Sequence, residues 1–387
     1  MRSLGIDPGT GSFDLALIEG DRVVWERSIP TASVVSDPGV IVRAIEESGA
    51  DVVAAPSGYG VPVTWSDELR DPRRFAYEVL LLSTPSQLEA AKGEVGVGVY
   101  DALAMVVEEL ARSKVRAVFV PSVILLRSIP AWRKLNKVDM GTADKLAAVI
   151  TGLWGMARKL GSPEDVSAVF VELGFGYNAA VSVLRGRVVD GVGGTYSSMG
   201  PLTAGALDLE VVSGVGSWSR FDVYKGGLVE LCGAPDLAAA ERAYLRGEEP
   251  CASAFAAWLE GVVKDVARAS VPLGREAGTV VLSGRYSSLS SVVKALREAG
   301  YSEVVEAPRL PGSSVTKHAA QGYAAMAAAA AGDSGSLIVE VAERVGVRDA
   351  CGTVADYLVH PSAAPLRERV RRAYVETVAR PRLCDGS

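Results

Sequence analysis

Histidine is scarce in this sequence, since only His318 and His360 occur among its 387 residues. Two histidines exclude a histidine-based metal cluster. Cysteine is also sparse, and the absence of a CxxC pair is typical of reduced thiols, not of a zinc site or a disulfide framework. The four cysteines are Cys232, Cys251, Cys351 and Cys384. We therefore expect neither a zinc centre nor disulfide bonds in this protein.

Long apolar runs and a basic surface are lacking as well. Apolar residues make up 49% of the chain, but no uninterrupted apolar segment reaches the roughly 18 to 20 residues of a membrane span. The N-terminal stretch MRSLGID reaches an acidic residue too early for a secretory signal. The net charge is −6, with no basic stripe. We therefore expect a cytoplasmic protein whose partners are neither membranes nor nucleic acids.

Two glycine-containing hairpins, about half the chain apart, form the main positive pattern. The first is LGIDPGTGSFDLALIEG, residues 4–20, and the second is SAVFVELGFGYNAAVSVLRGRVVDGVGGT, residues 167–195. Their alignment places Asp7 over Glu172, Gly9 over Gly174 and Gly11 over Gly176. One such hairpin could be an ordinary acidic turn, but a repeat with matched spacing indicates two related domains that face each other.

Three further segments complete the pattern. Helical spacing predicts a helix after Thr142 that stops at Gly161, and GTVVLSGRYSSLSSVVKALREAG, residues 278–300, predicts a buried strand followed by a helix. KHAAQGYAAMAAAAAGD, residues 317–333, predicts an Ala-rich helix whose small side chains let another helix pack closely. We expect domains at residues 1–160 and 161–334, and a C-terminal helical extension at residues 335–387.

The hairpins have the composition that phosphoryl transfer from ATP requires. This chemistry needs backbone amides around the phosphates, a divalent ion and a carboxylate. Glycine lets phosphate oxygens approach the backbone and can adopt a positive φ. Asp7 would hold Mg²⁺ through water, while Thr10 and Ser12 add hydroxyl donors.

The order of these segments resembles that of the acetate and sugar kinase, heat-shock chaperone and actin superfamily. The resemblance covers residues 3–332. It implies an α/β fold in which two related actin-like (ribonuclease H-like) domains surround a nucleotide cleft. It also implies ATP and Mg²⁺ as cofactors, with Asp7 and Glu172 at the metal. The nucleotide-binding residues that it implies are Gly9, Thr10, Gly11, Ser12, Gly174, Gly176, Tyr177, Asn178, Ser283, Gly284 and Arg285.

Further resemblances concern the acceptor. GGTYSSMGPLTAGALDLE, residues 193–210, resembles the segment after the second phosphate loop in butyrate and acetate kinases, although Ala204 precedes Gly205 where those kinases carry a catalytic arginine. The whole chain is also similar to a poorly characterised archaeal family labelled predicted butyrate kinase. VDMGTADKLA, residues 138–147, resembles the Gly-x-Asp-Arg motif of type III pantothenate kinases. That likeness implies Asp144 as the general base and Lys145 in the place of the arginine. The alternative is that Asp144 only stabilises the first turn of a helix.

These observations support an ATP-dependent kinase that acts on a small molecule, with a short-chain carboxylate as the candidate acceptor. Asp7, Asp144, Lys145 and Glu172 are its candidate catalytic residues. A second hypothesis is a nucleotide-dependent ATPase switch or activator that acts on a protein partner. A third is a degenerate fold that is kept for homodimer formation. Four cations are candidates to face an acidic substrate, namely Arg127, Arg133, Lys134 and Lys137.

Overall fold

Two β-sheets form the framework of the protein, whose computed structural model describes residues 1–90, 97–219 and 221–384. The first sheet contains β1 Arg2–Pro8, β2 Ser12–Glu19, β3 Arg22–Pro30, β4 Val52–Ala54, β5 Thr64–Trp65 and β6 Ala117–Phe119. The second contains β7 Ala168–Leu173, β8 Asn178–Leu184, β9 Arg187–Val192, β10 Thr279–Ser283 and β11 Glu303–Glu306. Their strand orders are β3-β2-β1-β4-β6-β5 and β11-β10-β7-β8-β9.

Four strands of each sheet repeat one topology. In the first sheet β1, β2 and β3 pair antiparallel in turn, and β1 pairs parallel with β4. In the second sheet β7, β8 and β9 do the same, and β7 pairs parallel with β10. Both sheets have a register shift, at Leu17/Ile18 and at Ser182/Val183, and these sites are as far apart in sequence as Asp7 and Glu172. The predicted repeat is therefore confirmed, because the two sheets share both the strand topology and the position of the register shift.

Helices cover both sheets and connect the two halves. They are α1 Thr31–Ser36, α2 Gly39–Ser48, α3 Pro72–Arg74, α4 Pro85–Ala90, α5 Val97–Arg112, α6 Ala131–Lys134, α7 Ala143–Leu160, α8 Leu209–Val215, α9 Leu228–Cys232, α10 Leu237–Leu245, α11 Cys251–Ser270, α12 Ser290–Glu298, α13 His318–Ala330, α14 Leu337–Val345 and α15 Ala364–Thr377. A π-helical turn spans Phe75–Leu80. Within the described ranges, none of these helices is long and apolar enough to cross a membrane.

Several 3₁₀ turns link these elements, and two of them, Gly194–Tyr196 and Asp222–Tyr224, border the cleft described below. They are Ser66–Glu68, Val123–Leu125, Pro163–Asp165, Gly194–Tyr196, Asp222–Tyr224, Val271–Glu276, Val347–Asp349 and Pro361–Ala363.

The two connecting helices, α7 and α13, cross at the centre of the molecule. α7 ends at Gly161, whose φ of 108° lies in the left-handed region, as the sequence predicts. A β-carbon at Gly322 of α13 would collide with the backbone carbonyl of Ala147 of α7, so the close packing expected of the Ala-rich helix is confirmed. A β-carbon at Gly5 of β1 would collide with the carbonyl of Ala320, which shows that α13 also lies directly on the first sheet. This packing fixes the first turns of both helices.

The C-terminal segment packs back onto the first half of the chain. Tyr374 of α15 is fully buried, and Arg74 and Glu376 form an ion pair at 2.6 Å. The domain boundaries at residues 160 and 334 stay a prediction. Residues 91–96, 220 and 385–387, which fall in the three predicted domains, lie outside the described residues.

The cysteines are disulfide-bonded, so the expectation of reduced thiols is wrong. Cys232 at the end of α9 bonds to Cys251 at the start of α11, and Cys351 bonds to Cys384. The spacing in sequence, 19 and 33 residues, gives no sign of either pair. Helix packing brings the first pair together. The Gly352 amide donates a hydrogen bond to the Arg382 carbonyl, and this contact brings Cys351 and Cys384 together.

Candidate functional site

A cleft with a volume of about 230 Å³ lies where the two repeated hairpins meet. Each hairpin contributes its glycine turn, and the first turns of α7 and α13 close the floor. Its lining contains most of the predicted site residues, namely Asp7, Gly9, Thr10, Gly11, Ser12, Asp144, Lys145, Glu172, Gly174, Gly176, Tyr177, Gly284 and Arg285. The fold therefore gathers residues that are up to about 280 positions apart in one cavity.

The two glycine turns have the same internal geometry. The Gly9 amide donates to the Ser12 carbonyl at 2.9 Å, and the Gly174 amide donates to the Tyr177 carbonyl at 3.1 Å. A β-carbon at either glycine would lie under 3.0 Å from its turn, at 2.8 Å from the Ser12 carbonyl and 2.9 Å from the Tyr177 carbonyl. Glycine at these two positions is thus required by the turn itself.

The second glycine of each turn faces open space. Nothing lies within 4 Å of a β-carbon built on Gly176, and the nearest atom to one built on Gly11 is an Arg285 nitrogen at 3.8 Å. The φ angles of the four hairpin glycines are not in the left-handed region, so the expected need for a positive φ does not apply to them. Gly11 and Gly176 both line the cleft. A β-carbon on either residue would therefore occupy space in which a ligand could otherwise approach the backbone.

Lys317, immediately before α13, places its ammonium group at the first hairpin. Its Nζ lies 2.8 Å from Asp7 Oδ2 and 3.5 Å from Asp14 Oδ2. A β-carbon on Gly9 would lie 2.9 Å from the same nitrogen. Sequence reasoning missed this residue, because nothing in the sequence connects the start of the Ala-rich helix with a strand 310 positions earlier.

Lys145, in the first turn of α7, occupies the corresponding place at the second hairpin. Its Nζ lies 2.7 Å from Glu172 Oε2 and 3.0 Å from Asp144 Oδ2. The hydroxyl of Thr142 donates a short hydrogen bond to the other oxygen of Asp144. Thr142 therefore occupies the predicted N-cap position of α7, but its hydroxyl orients a carboxylate instead of capping a backbone amide. Each hairpin carboxylate thus pairs with a lysine at the start of a connecting helix: Glu172 with Lys145 of α7, and Asp7 with Lys317 directly before α13.

Burial and charge give the carboxylates different acidities. Burial raises the pKa of Asp7 and of Glu172, and the neighbouring ammonium groups of Lys317 and Lys145 only partly oppose this effect. Burial would also raise the pKa of Asp144, but Lys145 and the Thr142 hydroxyl outweigh it and lower that pKa. Of Asp7, Asp144 and Glu172, only Asp144 therefore has a lowered pKa, which favours its ionised form.

The two lysines stay protonated. Burial alone would lower the pKa of Lys145, but Asp144 and Glu172 outweigh it and raise the pKa. Burial is likewise outweighed at Lys317, whose pKa is raised mainly by Asp7 and Asp14. Neither residue can act as a base, so both are fixed positive charges in the cleft.

Two predicted nucleotide-binding residues lie behind the cleft wall. Asn178 is buried, and its side-chain amide donates to the Met199 carbonyl at 2.9 Å. Ser283 is also buried, and its hydroxyl donates to the Val171 carbonyl at 3.3 Å. Both side chains hold neighbouring backbone in place, and neither lines the cleft.

The four cations predicted to face an acidic substrate do not line the cleft either. Lys134 is buried and donates to the Leu126 carbonyl at 2.8 Å, and its burial lowers its pKa to about 8. Arg133 donates to the Val189 carbonyl at 2.7 Å. Lys137 lines a second cavity of about 940 Å³, which Asp139 shares with the cleft.

One wall of the cleft is formed by uncharged side chains of the described residues. It includes Val99, Tyr100 and Leu103 on α5, and Tyr224 from the 3₁₀ turn Asp222–Tyr224. The Tyr100 and Tyr224 hydroxyl oxygens lie 3.4 Å apart, so this wall joins the first half of the chain to the second. The Tyr177 ring, in the second glycine turn, contacts the Tyr224 ring edge-on with centroids 5.6 Å apart.

The donor atoms of the cleft fit a water-mediated magnesium ion. Mg²⁺ prefers oxygen ligands, keeps several of its waters, and is commonly bound through one or two carboxylates and the phosphates of a nucleotide. Asp7 and Glu172 present such oxygens, and each already pairs with a lysine. Among residues 1–90, 97–219 and 221–384 there is no group of three His, Cys, Asp or Glu side chains that could hold a metal by itself.

The fold is similar to that of two solved kinases. A propionate kinase from Francisella tularensis aligns with a TM-score of 0.54 and 12% identity, over 83% of this chain and 98% of that chain. An acetate kinase from Entamoeba histolytica aligns with a TM-score of 0.51 and 12% identity, over 77% of this chain and 86% of that chain. At this identity the likeness shows the fold alone. The expected pair of actin-like α/β domains is thereby confirmed.

Sequence comparison gives a family but no activity. No curated protein matches this sequence significantly. The family model described as "Protein of unknown function (DUF1464)" matches residues 5–360, and the chain therefore belongs to that family.

Proposed function

We propose that the protein is an ATP-dependent phosphotransferase that acts on a small metabolite. The observation that carries this proposal is the symmetric cleft, in which two glycine turns face each other and each has a carboxylate–lysine pair beside it. Phosphoryl transfer depends on positioning and on stabilising the charge of the phosphates, and these groups supply both.

The residues would divide the work as follows. Backbone amides near Gly11 and Gly176 would hold phosphate oxygens, because no β-carbon keeps the oxygens away. Lys145 and Lys317 would neutralise the charge that develops on the transferring group. Arg285, which contacts the Phe175 ring at 5.3 Å, would add a third positive charge on the side of the second hairpin. Asp144 would accept the proton of the acceptor.

Asp7 and Glu172 would hold Mg²⁺ through water. When bound, this ion would supply additional neutralisation of the phosphate charge. The ion pairs with Lys317 and Lys145 keep both carboxylates oriented into the cleft in its absence. We also propose that the protein is cytoplasmic and that it forms a homodimer.

The acceptor named by the sequence resemblance is a short-chain carboxylate such as butyrate. The catalytic arginine that acetate and butyrate kinases carry is replaced here by Ala204, and Ala204 lines the second cavity. Lys317 is the residue best placed to supply that missing charge, because its ammonium group contacts the first hairpin. A switch that acts on a protein partner would share the nucleotide site, but it would transfer the phosphoryl group to water, and the hydrolysis would reposition the partner.

Phosphotransfer can be tested by following ADP release from Mg-ATP in the presence of small acceptors. We expect steady ADP formation with a phosphorylated product, and its loss in Asp7→Ala protein that retains the circular dichroism spectrum of the wild type. Normal turnover by this variant would contradict the assignment. ATP turnover that rises only with an added protein partner would support the switch instead.

A further inference from the structure

We propose that the acceptor is an uncharged alcohol with an apolar body. This inference rests on the proposed function and deepens it, because it names the chemical class that the same cleft would take.

The first argument is the charge balance of the cleft. Its lining includes four carboxylates, Asp7, Asp139, Asp144 and Glu172, and three cations, Lys145, Lys317 and Arg285. Each lysine already contacts two carboxylates, at distances between 2.7 and 3.5 Å. Bound phosphates would claim the remaining positive charge. Among residues 1–90, 97–219 and 221–384, the cleft lining offers no further cation, so an acceptor carboxylate would add an unpaired negative charge beside Asp144, and unpaired like charges oppose binding.

The second argument is the presence of an oriented base. A hydroxyl group must lose its proton as it attacks phosphorus, whereas a carboxylate is already ionised and needs no base. Asp144 lines the cleft, and Thr142 and Lys145 fix its two oxygens. Such a group serves an alcohol and has no task in the phosphorylation of a carboxylate.

The third argument is the wall that would contact the rest of the acceptor. Val99, Leu103 and the rings of Tyr100 and Tyr224 offer apolar surface and phenolic hydroxyl groups, but no charged group. Aromatic faces and edges pack well against aliphatic or ring-shaped bodies. An ionised substituent on the acceptor would be desolvated against these residues without an opposite charge.

The reaction balances without a further reactant. The acceptor oxygen forms a bond to the γ-phosphorus of ATP, and the bond from that phosphorus to the β–γ bridging oxygen breaks. The hydroxyl proton moves to the Asp144 carboxylate and then to solvent, while ADP leaves with the electron pair of the broken bond. The product is a phosphate monoester.

Matched pairs of alcohols and carboxylates test this proposal on the full-length wild-type protein. The pairs are 1-butanol with butyrate, benzyl alcohol with benzoate, and cyclohexanol with cyclohexanecarboxylate, each with Mg-ATP. ADP release measures turnover, ³¹P NMR detects a stable monoester, and hydroxylamine traps any acyl phosphate as a hydroxamate. We expect at least one alcohol to give a monoester and the carboxylates to give no hydroxamate. Hydroxamate formation would overturn the proposal, and so would failure of all six compounds while the nucleotide binds.

Replacement of the base gives an independent test. We expect Asp144→Asn to lower kcat for the alcohol by roughly 10² to 10⁴-fold and to leave the affinity for an ATP analogue unchanged. Asp165→Asn, at an exposed aspartate far from the cleft lining, is the matched control and should keep full activity. Equal kcat values for Asp144→Asn and wild type would contradict the role of the base.

The test also separates this inference from the proposed function. If no ATP analogue binds, the phosphotransferase assignment itself fails. If the analogue binds and only carboxylates react, the phosphotransferase stands and the alcohol is the wrong class.

Discussion

Lys317 Nζ lies 2.8 Å from Asp7 Oδ2, although the two residues are 310 positions apart. The Asp7 side chain is 6% exposed, and this contact partly offsets the cost of its buried charge. Lys145 and Glu172 repeat the arrangement at the second hairpin. Each copy of the repeated hairpin therefore contributes one carboxylate–lysine pair to the chemistry proposed for the cleft.

Removal of the Lys317 charge should impair catalysis more than folding. We expect Lys317→Met to lower kcat by about 10² to 10³-fold, because one cation is lost beside the transferring group. Turnover of Mg-ATP and thermal unfolding of the same preparation measure the two effects. Lys159→Met is the matched control, since Lys159 is 59% exposed and pairs with Glu303 on the surface. Equal activity of Lys317→Met and Lys159→Met would remove Lys317 from the site.

Glu26 should make the stability of the protein depend on acidic pH. Its carboxylate accepts hydrogen bonds from the backbone amides of Ser314, Val315 and Thr316, directly before Lys317. Burial would raise the pKa of Glu26, but hydrogen bonds from the amides and hydroxyls of Thr316 and Ser314 outweigh it and lower the pKa to about 2.

A carboxylate with a lowered pKa stabilises the fold above its unfolded value, here 4.5, and loses that contribution as the pH falls towards 2. Urea unfolding at pH 5 and at pH 3 should therefore show a smaller pH effect in Glu26→Gln than in the wild type. Glu19→Gln, at an exposed end of β2, should behave as the wild type. An unchanged pH effect in Glu26→Gln would show that this contact does not govern the acid sensitivity.

The crossing of the connecting helices can be tested with two glycines. Ala in place of Gly usually stabilises a helix by about 0.5 to 1 kcal/mol. Gly98 in α5 has nothing within 4 Å of an added β-carbon, so Gly98→Ala should raise the free energy of unfolding. Gly322→Ala should lower it by about 1 to 3 kcal/mol, because the added carbon meets the Ala147 carbonyl. Equal shifts in denaturant midpoint for the two variants would contradict the close crossing.

The disulfides should contribute to stability. Cys351 and Cys384 close a loop of 33 residues, for which the chain-entropy model gives about 3 to 4 kcal/mol. We expect Cys384→Ser, or reduction of the wild type, to lower the urea midpoint. Titration of thiols in the unfolded, unreduced protein should detect none. Four reactive thiols would restore the expectation drawn from the sequence.

The sequence predicted the framework well because the framework is local. A strand, a glycine turn and a second strand form a hairpin wherever they occur, and the two copies share even a register shift, at Leu17/Ile18 and Ser182/Val183. The stop of α7 at Gly161 depends likewise on one residue and its neighbours.

The errors concern side chains whose surroundings are set by distant residues. The sequence cannot show that Asn178 bonds to the Met199 carbonyl or that Lys134 turns inward to the Leu126 carbonyl. It gives no sign that Lys317 reaches Asp7 across most of the chain. The disulfide pairs were missed for the same reason, since helix packing decides the first pair and the contact of the final segment with Gly352 decides the second.

The most direct test of the account is isothermal titration of the protein with a non-hydrolysable ATP analogue and Mg²⁺. We predict binding at a single site and a roughly tenfold loss of affinity in Gly176→Ala, since one charge-assisted amide contact is worth about 1.5 kcal/mol or more. The thermal midpoint of this variant should match that of the wild type, because nothing lies within 4 Å of the added carbon. Absence of nucleotide binding by the wild type, or unchanged affinity in Gly176→Ala, would contradict phosphate binding by the two glycine turns.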